Sequence, residues 1–156
     1  MTAKEYLSYL PNIQFRIKAL QRSIRQCQEI ATATESRMDC TAPQNSGNGK
    51  IASAVEEKYD LEQELRRLTD GYQEFAVRVI REINRIPNNL YVTILIDRYV
   101  NGLPWGKITE NLGKESEKHV RGELHMQALA AFEKINPETT VNNRVPPCFV
   151  RRNGVE

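Results

Sequence analysis

Two long stretches of helical heptad spacing constrain this chain of 156 residues more than any other feature. Over residues 13–31 the apolar side chains recur at alternating intervals of four and three, and the same spacing returns over residues 61–86. A heptad stripe is buried by packing against another helix. Because the polar, turn-rich run 35–50 between the stretches is typical of a loop, we expect residues 1–86 to form an antiparallel helical hairpin. Each rod would be about 50 Å long.

The start of the first helix carries two local signals. Thr2 and Glu5 have the spacing of a capping box, in which each side chain accepts a hydrogen bond from a backbone N–H. Pro11 has no N–H to donate to the preceding turn, so we expect it to kink or restart the helix.

The paired stripes also predict self-association. A hairpin of this length can bury only one side of each stripe, so we expect its open side to meet a second copy of the chain, with a dimer favoured. The predicted oligomerisation seam consists of Ile17, Leu20, Ile24, Leu61, Leu65, Leu68, Tyr72 and Phe75.

The composition narrows the class of protein. With 40% hydrophobic and 27% charged residues, the chain suits amphipathic helices better than a thick buried sheet, and we predict an all-α fold. A formal net charge of +2 permits nucleic-acid binding without requiring it. No apolar run reaches the length of a membrane span and no signal-peptide pattern is present, so we expect a cytoplasmic protein.

Catalysis, metals and cofactors are not expected. Cys27, Cys40 and Cys148 are far apart and match no metal-ligand spacing, which favours reduced thiols. His119 and His125 do not share a helix face, so they do not predict a metal site. No Gly-rich phosphate loop and no convergent set of nucleophile, base and metal ligands is visible.

After Pro87 the spacing changes to that of three shorter helices. They are predicted at residues 90–100, 105–112 and 116–135, with Gly102 and Gly113 at the breaks. A short helix, a turn with glycine and a longer helix have the proportions of a helix-turn-helix, and the apolar segment before them would complete its core. We assign residues 87–135 to this domain, with a core made by Trp105, Ile108, Leu112, Val120 and Leu124.

The last of these helices carries side chains suited to DNA recognition. In a helix-turn-helix this helix lies in the major groove, with its first turns near the base edges. Because Glu115, Glu117 and Glu123 offset the bases, we expect one copy to bind weakly and a dimer to read two half-sites. The predicted DNA contacts are Lys114, Ser116, Lys118, His119, Arg121 and His125.

Residues 95–113, LIDRYVNGLPWGKITENLG, resemble the helix-turn-helix of sigma-factor region 4. They are more similar still to small phage and prophage proteins of Gram-positive bacteria, the RinA-type and ArpU-type late-gene transcription regulators. The resemblance spans about residues 1–135. It implies a phage-encoded regulator that binds double-stranded DNA in the bacterial host cell, near the host RNA polymerase. The matching positions are Arg98, Tyr99, Gly102, Trp105, Ile108, Leu112, Val120, Leu124, His125, Ala128 and Leu129.

Two positions depart from the family pattern. Pro104 stands where the family usually has a Ser or Thr, so the short helix after it loses a side-chain cap. Thr109 replaces a customary alanine where the two helices of the motif pack closely, and we expect its branched side chain to widen the angle between them.

Two other functions fit the same pattern. A DNA-packaging protein of the small-terminase type also joins a helix-turn-helix to an oligomerising hairpin, and a ring-like oligomer would favour it. A helical adaptor without nucleic-acid binding would use the hairpin to capture a partner helix.

The tail, residues 136–156, is predicted to be extended or disordered. Pro146 and Pro147 exclude a helix there. The alternative is that Phe149 and Val150 dock on a partner helix while neighbouring arginines contact phosphate.

Overall fold

The computed structural model describes residues 2–35 and 47–137, with side chains described for 2–32 and 52–137. Every regular element in these two ranges is helical, which confirms the predicted all-α class. None of the described helices is both long and apolar enough to cross a bilayer.

The two long helices match the heptad stretches, with shifted ends. α1 (Ala3–Glu35) runs through Pro11 without a break, so the expected restart is wrong. α2 (Gly47–Ile83) begins inside the predicted loop and ends before the predicted residue 86. The rest of that loop, residues 36–46, lies outside the described residues, as do Cys40 and the tail from residue 138.

The capping box at the start of α1 is confirmed. The Thr2 N–H donates to Glu5 Oε2 at 2.8 Å, and the Glu5 N–H donates to Thr2 Oγ1 at 3.3 Å. The hydrogen bonds from Thr2 hold the pKa of Glu5 below its usual value. Two N–H groups that the first helical turn leaves open are thus satisfied by side chains.

The shorter helices follow after Asn88, whose side chain accepts from the Leu90 N–H and caps the next helix. Two of the helices pass directly into π-helical turns, and α6 continues the same rod as α5 without a break. The elements are α3 (Asn89–Leu95) with a π-turn (Ile96–Val100), α4 (Trp105–Asn111), α5 (Glu117–His119) with a π-turn (Val120–Leu124), and α6 (His125–Ile135).

The chain divides into two compact units, while the assignment of residues 1–86 and 87–135 to separate functional domains stays a prediction. Unit 1 combines residues 1–13 with residues 71–156, as far as these are described, and unit 2 is formed by residues 14–70. The first turns of α1 and the last turns of α2 therefore belong with the short helices, because their apolar side chains share one core with them.

Tyr6 lies at the centre of that shared core in unit 1. Its ring meets Phe75 edge-on at 5.3 Å and stacks on Phe132 at 6.2 Å between centroids. Its hydroxyl donates to Glu82 Oε2 at 2.9 Å, and burial raises the pKa of both groups. A hydrogen bond also joins α1 to α6: the Ala3 N–H donates to Glu133 Oε1 at 2.8 Å.

Unit 2 is more thinly packed. Its buried apolar side chains among the described residues are Cys27, Ala54 and Leu68. An ion pair between Arg16 and Glu64 joins α1 to α2 within this unit. Of the predicted seam, Leu68 in this unit and Phe75 in unit 1 are buried within the single chain, so these two are not available to a second copy. The seam positions that are only half-buried are Ile17, Leu20, Ile24, Leu61, Leu65 and Tyr72.

Candidate nucleic-acid interface

The candidate interface is built on the turn between α4 and α5. Gly113 ends α4 with φ +59°, a left-handed conformation that costs a residue with a Cβ about 1–2 kcal/mol. The Gly113 N–H donates to the Glu110 carbonyl at 3.0 Å, and the Lys114 N–H donates to the Thr109 carbonyl at 3.1 Å. This pair of bonds is a Schellman motif. It sets the backbone direction from which Lys114 and the next helix leave.

Ser116 caps the helix that follows this turn. Its hydroxyl oxygen accepts from the His119 N–H at 3.3 Å, and its backbone is extended. The predicted helix start near Ser116 is therefore confirmed. Because the Ser116 oxygen is already engaged with its own backbone, its first role is to begin the helix.

Pro104 and Thr109 each have local consequences for α4. Pro104 provides no side-chain cap for α4, as expected, and its carbonyl accepts from the Lys107 and Ile108 N–H groups at 3.1 Å each. The Thr109 side chain is buried, and its hydroxyl donates to the Trp105 carbonyl at 2.8 Å. The Thr109 hydroxyl is thus satisfied within its own helix, while the angle between α4 and the next helix stays a prediction.

Three of the predicted DNA contacts form an exposed cationic set. Lys114, Lys118 and Arg121 are exposed, and none of them makes a side-chain hydrogen bond or ion pair within the described part of the chain. Lys118 and Arg121 are three residues apart on a helix, so they lie on neighbouring parts of one face. Their side chains are available to bind an anionic partner.

The acidic side chains in this stretch are partly engaged with the protein itself. Glu123 Oε2 lies 3.0 Å from His119 Nδ1, an ion pair when the imidazole is protonated, and the Gln127 amide donates to the same carboxylate at 3.5 Å. Glu117 lies beside Gly106 of α4: a Cβ atom added at Gly106 would lie 3.5 Å from Glu117 Oε2. These contacts direct two of the three carboxylates toward protein groups.

His125 is a correction to the predicted contact set. Its ring is buried, with 6% of the residue exposed, and its Nε2 lies 3.0 Å from the Tyr99 hydroxyl. Burial lowers the pKa of His125, and the positive charges of Lys4 and Arg98 lower it further. Burial also raises the pKa of Tyr99 to about 12. His125 therefore belongs to the interior of unit 1 and is not a surface donor.

An aromatic ring, Trp105, and a cation, Arg98, complete the surroundings of this histidine. The Trp105 ring meets His125 edge-on at 4.9 Å between centroids. The Arg98 guanidinium lies 4.8 Å from the Trp105 centroid, and it donates to the Leu103 carbonyl at 3.2 Å. Together with Tyr99 these groups join α3, α4 and α6. Sequence spacing alone does not reveal that these residues meet.

The first π-turn contains Arg98 and Tyr99 of this cluster, and the second is followed directly by His125. The Asn101 N–H donates to the Ile96 carbonyl at 2.9 Å, five residues back. The His125 N–H likewise donates to the Val120 carbonyl, five residues back. A π-turn adds one residue to a helical turn and so rotates the side chains that follow it. Helical periodicity alone consequently misplaced His125, which the structure turns inward.

The predicted core of the motif is only partly buried. Ile108 and Val120 are fully buried at 0% exposure, whereas Trp105, Leu112 and Leu124 are half-buried. Ile94, Leu95, Ala128, Leu129 and Phe132 are also buried in unit 1.

Among the residues that the structure describes, no group of three or more His, Cys, Asp or Glu side chains is placed to hold a metal ion. A comparison of the chain with models of protein families, with curated proteins and with solved structures found no match.

Proposed function

We propose that this chain is a phage-encoded transcription regulator that binds double-stranded DNA through residues 104–135, as a dimer. The observation that carries the proposal is the exposed set of Lys114, Lys118 and Arg121 beside a turn that is held by a Schellman motif and a serine cap. In this proposal residues 105–124 act as a helix-turn-helix.

The geometry suits a helix that enters the major groove. Lys118 and Arg121 lie in the first turns after Ser116, where a recognition helix meets base edges, and Arg or Lys binds the O6 and N7 acceptors of guanine. Lys114 lies in the turn, a position suited to a phosphate. Buried contacts among Tyr99, Trp105 and His125 would keep this helix in place during binding.

The charge balance sets the expected affinity. Each copy offers only three cations at the proposed interface, so its binding to DNA releases few counterions. We therefore expect one copy to bind DNA weakly and a dimer to bind it more tightly. The resemblance to sigma-factor region 4 supports host RNA polymerase as a second proposed partner, since such modules contact promoter and polymerase together.

Fluorescence anisotropy over a salt series tests the proposal. The probes are DNA fragments from the neighbourhood of the chain's own gene and a scrambled fragment of equal length. Wild type should prefer one native fragment, and its binding should weaken steeply with salt. Lys118→Ala/Arg121→Ala should lower the affinity about tenfold or more, because a good base contact contributes about 1–3 kcal/mol.

A matched control removes two exposed cations elsewhere. Arg66→Ala/Arg67→Ala in α2 should keep the affinity within about threefold, since these residues lie outside the proposed interface. Circular dichroism should show the same helix content in all variants. Equal binding to native and scrambled fragments, or equal losses in the two double variants, would contradict the proposal.

A further inference from the structure

The outer face of α1 in unit 2 presents three exposed bases over residues 18–25, followed about one turn later by the exposed acid Glu29. Phe15, Lys18, Arg22 and Arg25 fall on one side of the helix at 100° per residue, opposite the half-buried seam position Ile24. Phe15 is 69% exposed, and the three bases are exposed as well. Within the described residues Lys18 and Arg25 have no ion pair, and the Arg22 guanidinium donates only to the Lys18 carbonyl at 3.3 Å.

α2 presents a complementary acidic flank in the same unit. Glu57, Asp60 and Glu64 follow each other at intervals of three and four and line one shallow groove together with Glu56 and Ser53. Glu57 and Asp60 are exposed and make no ion pair within the described part of the chain, whereas Glu64 already pairs with Arg16.

The two spacings are mirror images. The bases are four and then three residues apart in chain order, and the acids are four and then three apart when read backwards from Glu64. Each set spans seven residues, about 10.5 Å along a helix. An antiparallel pair of helices would therefore place Arg22 opposite Asp60, Arg25 opposite Glu57, and Lys18 beside the pair of Glu64 and Arg16.

We infer that the basic outer face of α1 docks on the acidic flank of α2 in a second copy of this chain. Each copy carries both faces, so a two-fold dimer forms the contact twice. Phe15 supplies an aromatic side chain that the contact can bury, and aromatic residues are enriched in protein interfaces. The inference does not depend on DNA binding, and its surface differs from the heptad seam.

Charge favours a second copy over nucleic acid at this face. Phosphates would satisfy the three bases, but they would be repelled by the acids of the neighbouring helix. A second copy satisfies both sets together. The thin packing of unit 2 agrees with this, because four of the six large exposed apolar side chains of the described chain, Phe15, Ile30, Val55 and Tyr59, lie in this unit.

Sedimentation equilibrium of the full chain over a concentration and salt series tests the inference. Wild type should dimerise, and its dissociation constant should rise with salt because exposed ion pairs are screened. Arg22→Glu/Arg25→Glu and Glu57→Lys/Asp60→Lys should each raise that constant about 100-fold or more, since like charges would then face each other in both contacts.

Mixing the two charge-reversed variants gives the decisive result. In the mixed dimer every contact again joins opposite charges, so a heterodimer should form with an affinity within about tenfold of wild type. Lys114→Glu/Lys118→Glu is the matched control: it reverses two exposed charges in unit 1, and it should keep wild-type dimerisation while losing DNA binding. Failure of the proposed function and failure of this inference are thereby distinguished.

Three results would overturn the inference. They are a wild-type chain that stays monomeric at 100-fold above the concentrations used for DNA binding, reversed variants that dimerise like wild type, and reversed variants that do not associate when mixed. If Arg22→Glu/Arg25→Glu keeps the dimer and loses DNA binding, the basic face contacts DNA instead. Circular dichroism of each variant confirms that the helices are retained.

Discussion

Unit 1 and unit 2 are built from the same two long helices, yet they are stabilised differently. In unit 1 the first turns of α1 and the last turns of α2 share a core with the short helices, and large side chains such as Tyr6, Phe75 and Phe132 are almost completely buried. In unit 2 the same heptad spacing leaves Ile17, Leu20 and similar positions half-buried. A heptad stripe thus predicts a helix well, but the neighbours of that helix decide how much of the stripe is buried.

The comparison predicts where the chain is most sensitive to substitution. Phe132→Ala should have the largest effect, lowering the free energy of unfolding by about 3–5 kcal/mol, because it leaves a cavity beside Tyr6. Urea unfolding followed by circular dichroism measures this loss. Phe15→Ala, at a phenylalanine that is 69% exposed, should change the value by less than about 0.5 kcal/mol at low protein concentration. Similar losses for the two would invalidate the comparison.

A matched isoleucine pair sharpens the contrast between the units. Ile94→Ala, at a fully buried position of unit 1, should cost about 2–5 kcal/mol, and Ile24→Ala, at a half-buried position of unit 2, about half of that or less. Thermal and urea unfolding at two protein concentrations measure both. If Ile24→Ala lowers the free energy of unfolding as much as Ile94→Ala, and the loss grows with protein concentration, a second copy covers the seam itself.

The buried His125 makes the stability of unit 1 dependent on pH. Since burial lowers its pKa in the folded chain, the unfolded chain binds more protons as the pH falls below about 6.5. The free energy of unfolding should therefore decrease from pH 7.5 to pH 5.5, by at most about 1.4 kcal/mol per pH unit from this group. His125→Gln should flatten that dependence in urea unfolding.

The exposed histidine is the control for this experiment. His119→Gln, a substitution at an exposed histidine, should leave the pH dependence caused by His125 in place in the same urea unfolding experiment. An unchanged slope in His125→Gln would mean that the ring takes up its proton without loss of the contact to Tyr99.

The smallest effect is expected at the start of the candidate recognition helix. Ser116→Ala removes the acceptor of the His119 N–H and should cost about 1 kcal/mol in thermal unfolding. Ser53→Ala, an exposed serine inside α2, should be neutral or slightly stabilising because alanine has the higher helix propensity. If Ser116→Ala and Ser53→Ala change the thermal unfolding equally, the cap does not position this helix.

Features that depend on neighbouring residues were predictable from the sequence. The capping box of Thr2 and Glu5, the helix breaks at Gly102 and Gly113, and the helix start near Ser116 all lie where the sequence predicts them. Each involves groups only a few residues apart, so the local chain holds all the information. Pro11 is an exception in one respect, because the helix does not restart there, while the kink stays a prediction.

The candidate site was predictable only in part, because some of its features depend on residues far apart in the chain. The exposed Lys114, Lys118 and Arg121 could be named from their spacing, whereas the inward position of His125 depends on a π-turn and on a tyrosine 26 residues earlier. Helical periodicity assumes the same angle of rotation at every residue. An extra residue in one turn changes that angle, so the periodicity no longer predicts the direction of the side chains that follow.

By itself the sequence determined the helical class, the heptad stripes and the chemistry of the exposed charges, because these follow from side-chain type and short-range spacing. Only the tertiary structure decided that the first turns of α1 pack with α6, that the chain divides within its long helices, and that Tyr99, Trp105 and His125 meet. Those outcomes depend on contacts between residues far apart in the chain. Their free energy comes from burial and directed hydrogen bonds, which no short window of sequence contains.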